Sequence, residues 1–399
     1  MLNDKQLHRY ADVLLWGLKT ARSGKIKKND VIAIRYDLPA IKLVEILHKK
    51  LIEIGVHPVH RLLQTPVMEK NFYSLSSKKQ RVFIPPGEEE LYKNLNGTIA
   101  VLGPESLTHL SNIDSNKIAQ SLKARKALRE ILDQREEQGL FSWTLGMYPT
   151  AELASHAGMS VKDYSDQIVQ ACFLNRTDPI AQWESVYRKA QTLKKWLNRM
   201  NVLKYHIESD NVDLEITPGE KRRWIGISGH NIPSFELFVS PDWRGTRGKY
   251  YADQPSYRSG NFVNGIRIEF KNGKAVNATA EKGEDFLKKQ LSMDAGACKL
   301  GEFSLTDKTF SKINLFMANT LFDENYGGKF GNCHIALGAS YSDTYNGKSS
   351  ELTKEVKKNL GFNDSALHWD IVNTEKKRVT AHLASGKKNV IYENGRFTY

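Results

Sequence analysis

The sequence predicts two domains of different class: an α/β N-terminal domain with a mainly parallel sheet, then a mainly antiparallel β (α+β) C-terminal domain. Three observations lead there. A chain of 399 residues is too long for one ordinary core. Its first half repeats a β-α order, the mark of an α/β layer. Near residue 200 the texture changes to short alternating strands broken by turns, so the expected domains are 1–200 and 201–399.

The elements follow in order. Residues 4–22 place Leu7, Ala11, Leu14, Leu15 and Leu18 on one helical face. DVIAIRY (30–36) is a short β run, and AIKLVEILHKKLIEIG (40–55) is an amphipathic helix stopped by Gly55. VHRLLQ (59–64) and TIAVLGP (98–104) are further strands, the second ending at Gly-Pro as a buried parallel strand does on meeting a loop. WTLGMYPTAEL (143–153) runs from strand into a helix after Pro149, and DPIAQWESVYRKAQTLKKWLNRM (178–200) is helical. Beyond it VDLEITP, RRWIGISG, FELFVSP, GIRIEFKNGKAVNATAEKG and FSLTD read as strands, with a hairpin signal at Asn272-Gly273.

Hydrophobic residues make up 40% of the chain and aromatics 10%, enough for substantial cores. The N-terminus alternates at helical spacing without a continuous apolar stretch, so it reads as a first helix and not as a secretion signal. No apolar run approaches the ~20 residues a membrane helix needs, and a cytoplasmic location is expected. Cys172, Cys298 and Cys333 form no CxxC pair and are odd in number, which argues against a disulfide framework. The formal charge of +13 and pI near 9.3 invite a nucleic-acid partner. The basic clusters, SGKIKKND and SSKKQR among them, are broken up and carry no interleaved aromatics. They read as a lysine-rich solvated surface, and nucleic acid is not expected.

Several signatures are absent. The chain has no HExxH, no GxxxxGK[ST], no GxGxxG after a strand and no GxSxG. NGKSS (346–350) fails as a phosphate loop because Ser342 stands where its first glycine belongs.

What remains is a set of acids and histidines in the second half. LFDENYGGKFGNCHIALGASY (321–341) puts Glu324 and His334 among apolar flanks. Glu236 sits in FELFVSP, Glu302 at the start of a strand in KLGEFSLTD, and His368 with Asp370 in SALHWDIV. On a strand, residues i and i+2 share a face, so His368 and Asp370 project together and offer half a site for a divalent ion. Each has a plainer explanation: a surface His–Asp hydrogen bond, solvated strand glutamates, a core histidine at 334, a Glu324–Lys329 pair. Together, four strand-embedded acids and two histidines suit two metals better than one, because carboxylates bridge cations and offset their charge.

From about Asp213 onward the chain resembles the metallo-aminopeptidases typified by thermophilic aminopeptidase T and staphylococcal aminopeptidase S. The phrases that carry it are RRWIGISGHNIPSFELFVSP, NGIRIEFKNGKAVNATAEKG, KLGEFSLTD, NTLFDEN, CHIALG and SALHWDIV, in the family's order. The resemblance implies that Glu236, Glu302, Glu324, His334, His368 and Asp370 are metal ligands. It implies two divalent ions (Zn, Co or Mn), with Tyr341 and Glu302 as catalytic residues, the former as donor to the oxyanion. It further implies a homodimer that hydrolyses the N-terminal bond of peptides with a free N-terminus by metal-activated water. The interval from Glu324 to His334, ten residues (334 − 324), is longer than the family's usual one. The extra glycine-rich YGGKFGN is expected either to bulge away or to roof the pocket. The competing expectation is a scaffold without catalysis that binds RNA or an acidic partner. A dinuclear phosphoesterase is disfavoured by the lack of an Asp-rich DxH start.

Overall fold

The computed structural model describes residues 1–348 and 351–399, so the last two residues of NGKSS lie outside the described residues. The chain gathers into two compact units, one of Met1–Ser185 and Ile227–Ser234, the other of Val186–Gly226 and Phe235–Tyr399.

The first unit is built on five parallel strands in the order His57–Leu62, Val31–Tyr36, Leu95–Leu102, Trp143–Met147, Asn231–Ile232. Helix Asp4–Ala21 begins with a capping box, in which Asn3 and Gln6 satisfy each other's backbone N–H. It buries the predicted stripe Leu7, Ala11, Leu14, Leu15 and Leu18, and Tyr10 beside them donates its hydroxyl to Met147 O at 2.9 Å. Helix Ile41–Glu53 buries Leu43, Val44, Leu47 and Leu51. The α/β class expected of the first half is thus found.

The second unit holds two large antiparallel sheets and a two-stranded one, Ser256–Arg258 with Asn261–Val263. Eight strands run in the order Lys274–Thr279, Ile266–Lys271, Asp242–Ala252, Asp213–Thr217, Val202–Glu208, Arg378–Leu383, Lys388–Glu393, Arg396–Phe397. The hairpin falls where Asn-Gly predicts it, with Asn272 at φ 50° and Gly273 at φ 77°, the left-handed pair that a primed turn needs. Four strands form the smaller sheet: His368–Asn373, Asn332–Gly338, Leu300–Thr306, Glu236–Val239. Phe303 on the smaller sheet meets Tyr205 and Trp224 at ring distances of 5.6 and 5.4 Å. The Tyr250 hydroxyl reaches the Cys333 and Ile371 carbonyls, each at 2.9 Å.

One expected strand fails. RRWIGISG makes only isolated bridges, Arg222 with Tyr345 and Ile225 with Phe238. The stretch changes direction here: Gly226 has φ +131° and Gly229 φ +94°, which alternation of residue types does not reveal. Among the described residues no helix is long and apolar enough to cross a membrane.

Two predictions follow from packing. A Cβ on Gly226 would lie 2.1 Å from Glu236 O and 3.0 Å from Leu237 Cα. Gly226→Ala is therefore expected to cost at least about 3 kcal/mol through backbone strain, read as a lower urea midpoint. An unchanged midpoint would show that this approach is not needed. Lys377 is 3% exposed, and burial holds its ammonium down to about 8. The unfolded chain then binds the extra proton between pH 8 and the ordinary lysine value near 10.4, so stability rises with pH across that window. Lys377 should contribute on the order of 3 kcal/mol to the rise, so the rise should be smaller by about that amount in Lys377→Met, as followed by urea unfolding from pH 7.5 to 10.5.

Candidate metal centre

Register in the smaller sheet decides the site. Opposite residues of an antiparallel pair share a face, as do i and i+2 along a strand. The pairs Glu236–Thr306, Ser304–His334, Glu302–Ala336, Ala336–Asp370 and Gly338–His368 therefore put Glu236, Glu302, His334, His368 and Asp370 on one face. The other face carries Leu237, Val239, Phe303, Leu305, Ile335, Leu337, Trp369 and Ile371, all buried. Small residues Ser304, Ala336 and Gly338 lie between the five and leave room above the sheet.

The distances are short. Atoms of Glu236, Glu302 and His334 lie within 4.8 Å of one another. His334 Nε2 is 3.1 Å from Glu302 Oε1, 3.2 Å from Glu236 Oε2 and 3.9 Å from Asp370 Oδ1. His368 Nε2 is 3.3 Å from Asp370 Oδ1 and 3.9 Å from Glu302 Oε2. The His368 ring is oriented through Nδ1, 2.9 Å from Ala339 O. Ser304, two residues after Glu302 on the same face, donates its hydroxyl to Glu236 Oε2 at 2.9 Å. The i+2 spacing could have flagged it.

Glu324 arrives differently. It was expected to be strand-embedded, but it caps the short helix Thr320–Asp323, which starts at an Asn319 cap. Its carbonyl accepts from Thr306 Oγ1 at 3.1 Å and Asn332 Nδ2 at 2.9 Å. Asn325 accepts from Phe235 N at 2.5 Å and so ties this turn to the Glu236 strand. Asp323 turns away from the cluster to accept from Met317 N and Asn319 N at 2.7 and 2.8 Å. The glycine-rich insertion is pinned elsewhere: Gly327 N bonds Ile313 O, Lys308 Nζ bonds Lys329 O, and the Tyr392 hydroxyl lies 3.4 Å from Phe330 O. It bulges toward Thr306, Ile313 and Tyr392.

Electrostatics report the crowding of acids. Burial pushes Glu236 up to about 7 against the pull of His334. Glu324 is held well above the carboxylate range by burial and then by the charges of Glu236, Asp370 and Glu302. Burial disfavours charge on both imidazoles, yet the carboxylates outweigh it: Glu236 and Glu302 raise His334 to about 9, and Asp370 raises His368 to about 9. Asp370 resists burial through His368, His334 and Arg258 and falls to about 2. Tyr341, 39% exposed, packs its ring 4.6 Å from that of His368. Desolvation and the field of Glu302, Asp370 and Glu324 hold its phenol well above its usual value, so it stays a proton donor.

Four carboxylates and two imidazoles around one buried space form a donor set of the hard and borderline kind that a divalent cation takes. His334 Nδ1 is buried with no hydrogen-bond partner among the described residues, while its Nε2 faces the carboxylates. A cation drawn in by those carboxylates fits this chemistry.

Comparison with known proteins agrees. The family model described as thermophilic metalloprotease (M29) matches residues 3–397. Aminopeptidase AmpS of Bacillus subtilis (strain 168) is 29% identical over 331 residues, 78% of this chain and 79% of that protein. Aminopeptidase T of Thermus thermophilus is 28% identical over 338 residues, 80% of each. The solved structure of wild-type AmpT from Thermus thermophilus superimposes with a TM-score of 0.81 over 100% of both chains at 22% identity, which shows a shared fold. The family resemblance carried by the motifs of the second half is borne out over nearly the whole chain, and the chain belongs to the M29 family of metalloproteases.

Proposed function

We propose that the chain is an aminopeptidase that removes N-terminal residues from peptides, using two divalent ions held by Glu236, Glu302, Glu324, His334, His368 and Asp370. The observation that carries this reading is the convergence of five of those side chains, from four separate strands, on one face of one sheet. The relatives' name, aminopeptidase, supplies the reaction class. The catalytic domain on this reading is 201–399.

Divalent ions bound there would polarise the peptide carbonyl and make a water acidic enough to attack near neutral pH. Glu302 would hold such ions between the two imidazoles, because its Oε1 faces His334 and its Oε2 faces His368. Ser304 holds Glu236 in one rotamer, and Ala339 O holds His368 in one orientation. Tyr341, kept protonated by its surroundings, donates a hydrogen bond to the oxyanion that develops on the substrate carbonyl. Zinc, cobalt and manganese each suit the donors. A homodimer, as the resemblance to this family implies, is part of the reading. The free state of Cys172, Cys298 and Cys333 supports a cytoplasmic home.

Two experiments test this. Chelated protein re-dosed with zinc, cobalt or manganese should melt higher, as mass action requires for a ligand of the folded state, and should cleave aminoacyl fluorogenic substrates but not their N-acetylated forms. Glu302→Gln should lose both responses. A folded wild type that no metal activates would remove the aminopeptidase reading. Tyr341→Phe should lower kcat by about 10²–10³-fold, the loss typical of an oxyanion donor, while the metal-induced rise in melting temperature persists. An unchanged kcat would return Tyr341 to a packing role.

A further inference from the structure

Strand His368–Asn373 is the outer strand of its sheet: one edge pairs with Asn332–Gly338, and among the described residues no strand pairs with the other. Residues 251–258 run along that open edge as a strap. Asn373 Nδ2 donates to Tyr251 O at 2.9 Å, and Thr374 N and Oγ1 donate to the Asp253 carboxylate at 2.7 and 2.6 Å. Gln254 N reaches Val372 O at 3.4 Å, and Trp369 Nε1 donates to Ser256 Oγ at 2.9 Å. The last rung is Arg258, whose Nη1 donates to the carbonyl of His368 at 2.7 Å. Its guanidinium lies 5.6 Å from the Trp369 ring centre.

These rungs matter because an edge strand is the easiest to shift, and a slip of one residue would turn His368 and Asp370 onto the apolar face. Arg258 clamps the strand at its first residue, where the site begins. Its fork is planar and rigid, so a lysine ammonium cannot replace it geometrically. Its positive charge by itself would repel a metal ion. Position and charge therefore predict opposite effects of removing it.

We propose that Arg258 is a positioning residue of the metal centre: by holding the His368 carbonyl it keeps His368 and Asp370 aimed at Glu302 and so tightens divalent-cation binding. This inference rests on the metal reading given above.

The test is titration of chelated full-length protein with Zn²⁺ alone, by competition with a chromogenic chelator, beside the melting temperature of each metal-free variant. Arg258→Met is expected to weaken Zn²⁺ binding about 10–100-fold, the usual cost of losing a residue that orients a ligand. Arg258→Lys should weaken it less, and Ser256→Ala, which removes a different rung, should leave it unchanged. Unchanged or tighter binding in Arg258→Met overturns the positioning role. Should Arg258→Met fail to fold, Arg258→Lys decides: it retains the charge, so wild-type affinity there overturns the proposal. A wild type that binds no Zn²⁺ overturns the metal reading itself, and this inference with it.

Discussion

Packing three carboxylates and two imidazoles onto one face of a four-stranded sheet, with the Glu324 carboxylate brought in from the adjoining helical turn, is the constraint on which the second unit depends. An ionised carboxylate loses several kcal/mol of solvation when buried, and here Glu236, Glu302 and Glu324 are each at most 6% exposed. The sheet withstands this because its opposite face is mostly apolar and packs Phe303 against Tyr205 and Trp224. Hydrophobic burial on one side stabilises what charge crowding on the other would break. The imidazoles then sit between the acids, His334 among Glu236, Glu302 and Asp370, and His368 between Asp370 and Glu302. A site strained in this way gains most when a cation enters it, so stability and chemistry are coupled in the same few side chains.

The surrounding chain fixes orientation with neutral hydrogen bonds. Ser304 serves Glu236 and Ala339 O serves His368, while the Glu324 carbonyl is gripped by Thr306 and Asn332. The long interval between Glu324 and His334 is tolerated for the same reason. Thr306 and Asn332 hold the two ends of the interval, and Ile313, Lys308 and Tyr392 take up the slack. Extra residues in such a loop add little entropy cost, since closure grows only with the logarithm of length.

Much of this was legible in residues alone. Helix Asp4–Ala21 shows its buried stripe at 3.6 spacing, and the second-half hairpin shows its Asn-Gly. The six candidate residues stand out as residue types out of place, acids and histidines inside apolar runs. Other features left no such mark. LFDEN is apolar enough for strand or helix, and an Asn319 cap decides for a helical turn that ends at Glu324. RRWIGISG has the alternation of a strand, but Gly226 and Gly229 bend it, and residues 227–234 join the parallel sheet of the first unit. Arg258 is one of 58 lysines and arginines, and its neighbours in sequence do not mark it.

The division has a physical basis. Periodicity, caps and turn residues act over a few neighbours, so the sequence by itself marked the clearly periodic helices and strands, the presence of two sheet types, and the side chains too polar for their surroundings. Which of those side chains meet depends on strand order and register, set by the pairing of residues tens of positions apart: Ser304 with His334, Ala336 with Asp370, Glu236 with Thr306. A shift of one residue in any of these pairs would scatter the site across both faces. Only the tertiary structure, through burial of the opposite apolar face, decides that register.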